Sequence, residues 1–224
     1  MSRAMHAPTA LVLDWDGTLV DNWPVIHAAM NETLVAFGHR PWTLPEAMEK
    51  ISRSQRDSFP VLFGEHWRDA RALFYRSFEA RHLTELVPLA GAEELIKGLS
   101  STDVTLVVVS NKRGDYLRRE AEHLGWTRYF HSIVGATDAE ADKPDRAPLL
   151  LALAGSGVDL SRDVWMVGDS ATDMLTARAA DCTAVLVRYP GASPVPLPEG
   201  VTADIVVDDL TALGNLVRQR RCQP

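Results

Sequence analysis

Short runs of branched apolar residues alternate with amphipathic stretches along most of this chain. The first run covers residues 9–13. The second covers 102–109, with Val104-Thr105-Leu106-Val107-Val108-Val109 as its near-continuous apolar centre. Further runs fall at 133–135, 163–167, 183–187 and 204–207. Runs without polar alternation suit strands covered on both faces of a parallel sheet. Between them, helical patterning occupies 92–99, 114–124, 147–154, 172–180 and 210–220. Strand alternating with helix predicts an α/β fold, a doubly wound, mostly parallel and Rossmann-like sheet. Ligands of such sheets bind beyond the carboxyl ends of the strands.

One region breaks the alternation. From 21 to 87 the sequence offers no convincing strand, and 24–37, 44–51, 55–63 and 67–82 all read as helices. Trp67, Ala70, Leu73, Phe74 and Phe78 fall near helical spacing and give an apolar face. The pattern predicts a small all-helical domain at 21–87, inserted into a core built from 1–20 and 88–224. A helical insertion directly after a strand that carries chemistry would form a mobile cap over it. The proline-rich stretch 190–198 reads as a surface loop, since strand and helix patterning resume after it.

Length and charge narrow the choice of partner. The chain has 224 residues, enough for one sizeable α/β domain with an insertion. Its 30 acids against 23 bases give a formal net charge of -7. That balance argues against nucleic acid or an anionic membrane as partner, because both need a basic footprint. No apolar run approaches the length of about 18 residues that reads as a membrane span. Residues 1–9 lack the apolar core of a signal peptide. Cys182 and Cys222 sit in no metal-binding spacing, which suits a reduced, cytoplasmic protein. Monomer and homodimer both remain open.

Candidate chemistry starts where the first run ends, at Leu13-Asp14-Trp15-Asp16-Gly17-Thr18. Two carboxylates one residue apart repel, which pushes one pKa up. Such a pair suggests one ionised acid that attacks or binds metal and one poised to carry a proton. Trp15 between them would point to the opposite face and pack. Three further segments close later strands: Ser110-Asn111-Lys112, Lys143-Pro144, and Gly168-Asp169-Ser170 with Asp173. Each alone is ordinary. A serine after a strand is usually a turn or cap, and a lone lysine is usually solvated. Acids at a helix start gain only about 0.3–1 kcal/mol from the dipole. All of them at strand exits, in this order, gather polar groups at one edge of the sheet.

These segments resemble the haloacid dehalogenase superfamily, in the branch with a helical cap after the first strand. Asp14-Trp15-Asp16-Gly17-Thr18 is similar to its first motif, Ser110-Asn111-Lys112 to its second, Lys143-Pro144 to its third, and Gly168-Asp169-Ser170 with Asp173 to its acidic fourth. The nearest flavour resembles phosphoglycolate phosphatases. The resemblance implies a Mg²⁺-dependent phosphatase of a small phosphorylated metabolite. By it, Asp14 is the nucleophile that forms an aspartyl-phosphate, and Asp16 the general acid and base. Ser110, Asn111 and Lys143 would hold the phosphoryl oxygens, beside the loop at Gly17 and Thr18. The metal would take Asp14, the main-chain carbonyl of Asp16, Asp169 and, directly or through water, Asp173. Arg53 and Arg56 fall where related caps carry a specificity loop, here without its usual glycine. Two other readings stay open: a phosphomutase, which retains the phosphoryl group, and a binding protein on an inactive scaffold.

Charge arithmetic points to a cation independently. Asp14, Asp169 and Asp173 carry three negative charges, and a phosphate monoester brings about two more. One like-charged pair at about 4 Å costs about 4 kcal/mol at an effective dielectric near 20. Lys143 alone does not offset that.

Overall fold

The computed structural model describes residues 7–51, 54–189 and 196–222. Its centre is a parallel sheet of β1 (Ala10–Leu13), β4 (Thr105–Arg113), β5 (Ser132–Ala136), β6 (Val164–Gly168), β7 (Thr183–Val187) and β8 (Ile205–Val207). The order across it is β5-β4-β1-β6-β7-β8. β1 therefore pairs with β4 on one side and β6 on the other, each in parallel register. The chain turns to opposite sides of the sheet from this strand, so a crevice opens at its carboxyl end. Asp14 is the next residue.

Side-chain alternation explains why the strands read as continuous apolar runs. Leu11, Leu13, Leu106, Val108, Trp165 and Val167 pack on one face. Ala10, Val12, Val107, Val109, Val164 and Met166 pack on the other. Both sets are buried, because helices cover both faces. The first face takes α5 (Ala92–Ser100), α6 (Gly114–His123) and α9 (Leu210–Arg221). The second takes α7 (Ala147–Leu153) and α8 (Ala171–Ala179).

The helical insertion consists of α1 (Trp23–Ala36), α2 (Leu44–Lys50), α3 (Gln55–Phe63) and α4 (Trp67–Glu79). It has its own apolar centre of Ile26, Met30, Leu34, Phe59, Phe74 and Phe78, joined by Tyr116 from α6. At its base β2 (Val20–Asp21) pairs antiparallel with β3 (Val87–Pro88). The chain thus leaves and rejoins the α/β layer at neighbouring points. This ribbon is too short to show in a hydrophobic pattern. The strand expected over 102–109 runs on to Arg113 through Ser110-Asn111-Lys112, with a register shift after Val109. The polar residues at its end therefore sit on an extended backbone that β5 still holds. No helix among the described residues is long and apolar enough to cross a membrane.

Candidate active site

The turn after β1 is built by its backbone. The amides of Thr18, Leu19 and Val20 all donate to the Trp15 carbonyl, and Gly17 donates to Val20 at 2.8 Å. Gly17 has a φ of 81°. A Cβ there would lie 2.4 Å from Asp169 Oδ2. Glycine is needed both for the positive φ and for the approach of that carboxylate. Gly168 is constrained from the other side, since a Cβ on it would meet Asp173 Cγ at 2.2 Å.

Lys143 joins the strand exits. Its Nζ donates to Asp14 Oδ1 and to Asp173 Oδ1, both at 2.7 Å. Asn111 fixes the Lys143 backbone with two bonds of 3.0 Å, accepting from its N–H and donating to its carbonyl. Asp173 Oδ2 accepts from the Ser170 hydroxyl at 2.6 Å and the Ser170 amide at 3.1 Å, closing a capping box at the start of α8. Both Asp173 oxygens are thus engaged, and the residue is fully buried. The Thr18 hydroxyl makes a long contact of 3.4 Å to Asp169 Oδ1.

Carboxylate oxygens of Asp14, Asp169 and Asp173 lie within 4.8 Å of one another. Burial pushes the Asp14 carboxyl up to about 7; Lys143 opposes the shift and Asp173 adds to it. Asp169 is also held well above the usual carboxylate range, by burial and then by Asp14 and Asp173. Burial disfavours the Lys143 charge, yet Asp14 and Asp173 outweigh it and raise its pKa. Three acids share one ammonium, so the cluster is short of positive charge. An all-oxygen, anionic donor set of this kind fits a hard divalent cation such as Mg²⁺.

Asp16 faces a different set of partners. Lys112 Nζ donates to Asp16 Oδ1 and to Glu120 Oε2, both at 2.6 Å. Burial raises the Asp16 pKa and Glu120 adds to that; Lys112 and a hydrogen bond from Asn22 oppose it. Trp15 is fully buried and packs edge-on against Trp126, as its position between the acids predicts. Its indole N–H also reaches Glu120 at 2.7 Å. Of the residues around Asp16, the sequence marks Lys112 through the Ser110-Asn111-Lys112 segment and gives Glu120, Asn22 and His82 no signal of their own. Glu120 lies one helical turn beyond Tyr116 on the inner face of α6, where both are buried.

The carboxyl end of β1 opens into a cavity of about 1040 Å³ between sheet and insertion. Asp14, Asp16, Gly17, Ser110, Asn111, Lys112, Lys143 and Asp169 line its floor. Ile51, Gln55, Phe74, Tyr75 and Phe78 line it from the helical side. Two of the expected substrate-binding residues stand apart from that lining. Thr18 is fully buried and is absent from the described lining, since its hydroxyl turns to Asp169. Arg56 does not line the cavity either; its guanidinium pairs with the buried Asp142 at 3.0 Å, bridging α3 to the loop before Lys143. A carboxylate with a short path to reach it captures the bidentate group. Arg53 lies outside the described residues.

The haloacid dehalogenase-like hydrolase family profile matches residues 11–187. The phosphoglycolate phosphatase 1 of Pseudomonas aeruginosa is 31% identical over 227 residues, covering 94% of this chain and 80% of its own. The phosphoglycolate phosphatase of Agrobacterium fabrum is 30% identical over 210 residues, covering 90% and 89%. A hydrolase from Pseudomonas syringae superposes with a TM-score of 0.77 at 25% identity, over 94% of this chain and 98% of that one. A haloacid dehalogenase-like family hydrolase from Streptococcus pneumoniae gives a TM-score of 0.79 at 20% identity over 94% and 98%, a likeness of fold.

Proposed function

The chain belongs to the haloacid dehalogenase-like hydrolases and is a phosphatase; on that premise we propose that it hydrolyses a small phosphate monoester at Asp14, with Mg²⁺, through an aspartyl-phosphate. The observation that supports this reading is the junction at Lys143, which bonds both Asp14 and Asp173, with Asp169 beside them in one carboxylate cluster. Asp14, Asp169 and the main-chain carbonyl of Asp16 would hold the cation. It would supply the positive charge that the cluster lacks when a phosphate dianion binds. Asp173 acts through Lys143 and Ser170, whose positions it fixes.

In the first half-reaction an Asp14 oxygen attacks phosphorus as the bond to the leaving oxygen breaks. Asp16 gives its proton to that oxygen, and burial favours its protonated form for the task. Lys143 and the Ser110 hydroxyl are placed for the phosphoryl oxygens, and Asn111 locks Lys143 in place. In the second half-reaction Asp16 takes a proton from water, which attacks phosphorus, releases inorganic phosphate and returns the Asp14 carboxylate.

Residues 21–87 serve as a cap that closes the reaction from above, with the core at 1–20 and 88–224. The β2–β3 ribbon supports a boundary there. The names of the relatives make phosphoglycolate the first substrate to test. The free Cys182 and Cys222 suit a reducing cytoplasm. The test is phosphate release from phosphoglycolate with Mg²⁺. Asp14→Asn is expected to lower kcat by about 10⁴-fold or more, as removal of a nucleophile does. Equal rates in the two proteins would contradict the assignment.

A further inference from the structure

Glu120 on α6 is fully buried, lies away from the cavity lining, and has no place in the chemistry above. Four donors nevertheless converge on it. Its Oε1 accepts from Asn22 Nδ2 at 3.1 Å and from His82 Nδ1 at 2.9 Å. Its Oε2 accepts from Trp15 Nε1 at 2.7 Å and from Lys112 Nζ at 2.6 Å. Burial alone would raise its pKa, but Lys112 and the His82 and Trp15 hydrogen bonds hold it below the usual range. A carboxylate accepts only, so the His82 tautomer here carries its proton on Nδ1.

The donors come from informative places. Asn22 lies between β2 and α1, where the chain crosses into the insertion. His82 follows α4, on the way back to β3. Trp15 separates the two acids. Lys112 is the penultimate residue of β4 and shares its ammonium with Asp16. The Phe78 ring of α4 lies 5.3 Å from that ammonium and stacks on His82 at 4.9 Å. A lysine head on a flexible stem is a poor anchor unless it is held from more than one side. Glu120 and Phe78 supply the other sides. Asn22 also reaches both Asp16 and Glu120.

We propose that Glu120 is a positioning residue for Asp16, acting through Lys112 and Asn22, and that it ties both crossings of the helical insertion to that acid. The inference rests on the reading of Asp16 as proton donor. It goes beyond that reading by giving the acid a buried anchor that answers to the cap. Glu120 touches no substrate. Displacing the insertion at Asn22 or His82 moves the same carboxylate that sets Lys112, and through it Asp16.

The test uses two substrates on one protein sample. Phosphoglycolate releases glycolate as an alkoxide that needs a proton, whereas p-nitrophenyl phosphate releases a stable phenolate. The ratio of their kcat/KM values is independent of how much of a variant is folded. Asp16→Asn is the reference, and its ratio should fall by about 10²-fold, the low end of general-acid contributions. Glu120→Gln should shift the ratio in the same direction by about tenfold, and His82→Phe by less. Equal loss on both substrates in Glu120→Gln, with Asp16→Asn selective, would overturn the proposal. An unselective Asp16→Asn would overturn the proton-donor reading itself, and the inference with it.

Discussion

Asp14 and Asp16 leave the same strand two residues apart, and each meets a lysine that also holds a second carboxylate. Lys143 spans Asp14 and Asp173, and Lys112 spans Asp16 and Glu120. The difference lies in what surrounds each set. On the Asp14 side stands a further acid, Asp169, which the Thr18 hydroxyl approaches at 3.4 Å. On the Asp16 side the further groups are the donors of Trp15, Asn22 and His82. The first set has surplus negative charge facing a cavity. The second is saturated by hydrogen bonds inside the protein. On the proposed reading, like residues thus make one site suited to a cation and one suited to a proton donor.

The comparison breaks most visibly at Asp169. Asp169→Asn should remove the surplus, lowering activity at limiting Mg²⁺ by about 10²-fold, an effect that rises with weaker metal binding. Titrating Mg²⁺ should recover part of the loss. Glu120→Gln should leave the Mg²⁺ concentration for half-maximal rate unchanged, and a shared shift in both variants would erase the distinction.

A smaller effect concerns stability against pH in metal-free protein. Asp14 and Asp169 have raised folded pKa values, so the folded state binds more protons than the unfolded chain. Stability then falls as pH rises from about 5 towards about 7, where Asp14 titrates. The lowered carboxylates, such as Glu46 near 2, have completed their opposite contribution below that window. The thermal midpoint without metal should therefore decline over this range, and Mg²⁺ should flatten the decline. A midpoint that rises with pH would contradict the surplus.

The smallest effect is expected at Arg56. Its pair with Asp142 is partly exposed on the arginine side, with 38% of that side chain accessible. Arg56→Ala should change kcat/KM for phosphoglycolate by less than about fivefold, as expected for a partly solvated pair worth up to about 1 kcal/mol. A larger, substrate-selective loss would return Arg56 to the substrate.

Much of this was legible in the sequence for a physical reason. Backbone-directed features leave local marks: apolar runs for strands, Gly17 for a positive φ, and Asp169-Ser170 at the start of α8. The strand exits alone gather Asp14, Lys143, Asp169 and Asp173 at one edge of the sheet. Pairings between distant side chains leave no such mark. Glu120 reads as one acid among charged neighbours on α6, and only folding aligns it with Trp15, 105 residues away. His82 carried no metal-like spacing, and its partner is likewise a long-range one. Arg56 shows the converse. Its sequence position suggests a substrate anion as partner, and in the fold its guanidinium pairs with the buried Asp142.

The most direct measurement is a calorimetric titration of Mn²⁺ or Mg²⁺ into the wild-type protein, Asp169→Asn and Glu120→Gln. The account predicts binding in the wild type and in Glu120→Gln, and its loss in Asp169→Asn. Undiminished binding in Asp169→Asn would contradict the placement of the cation in the Asp14 cluster.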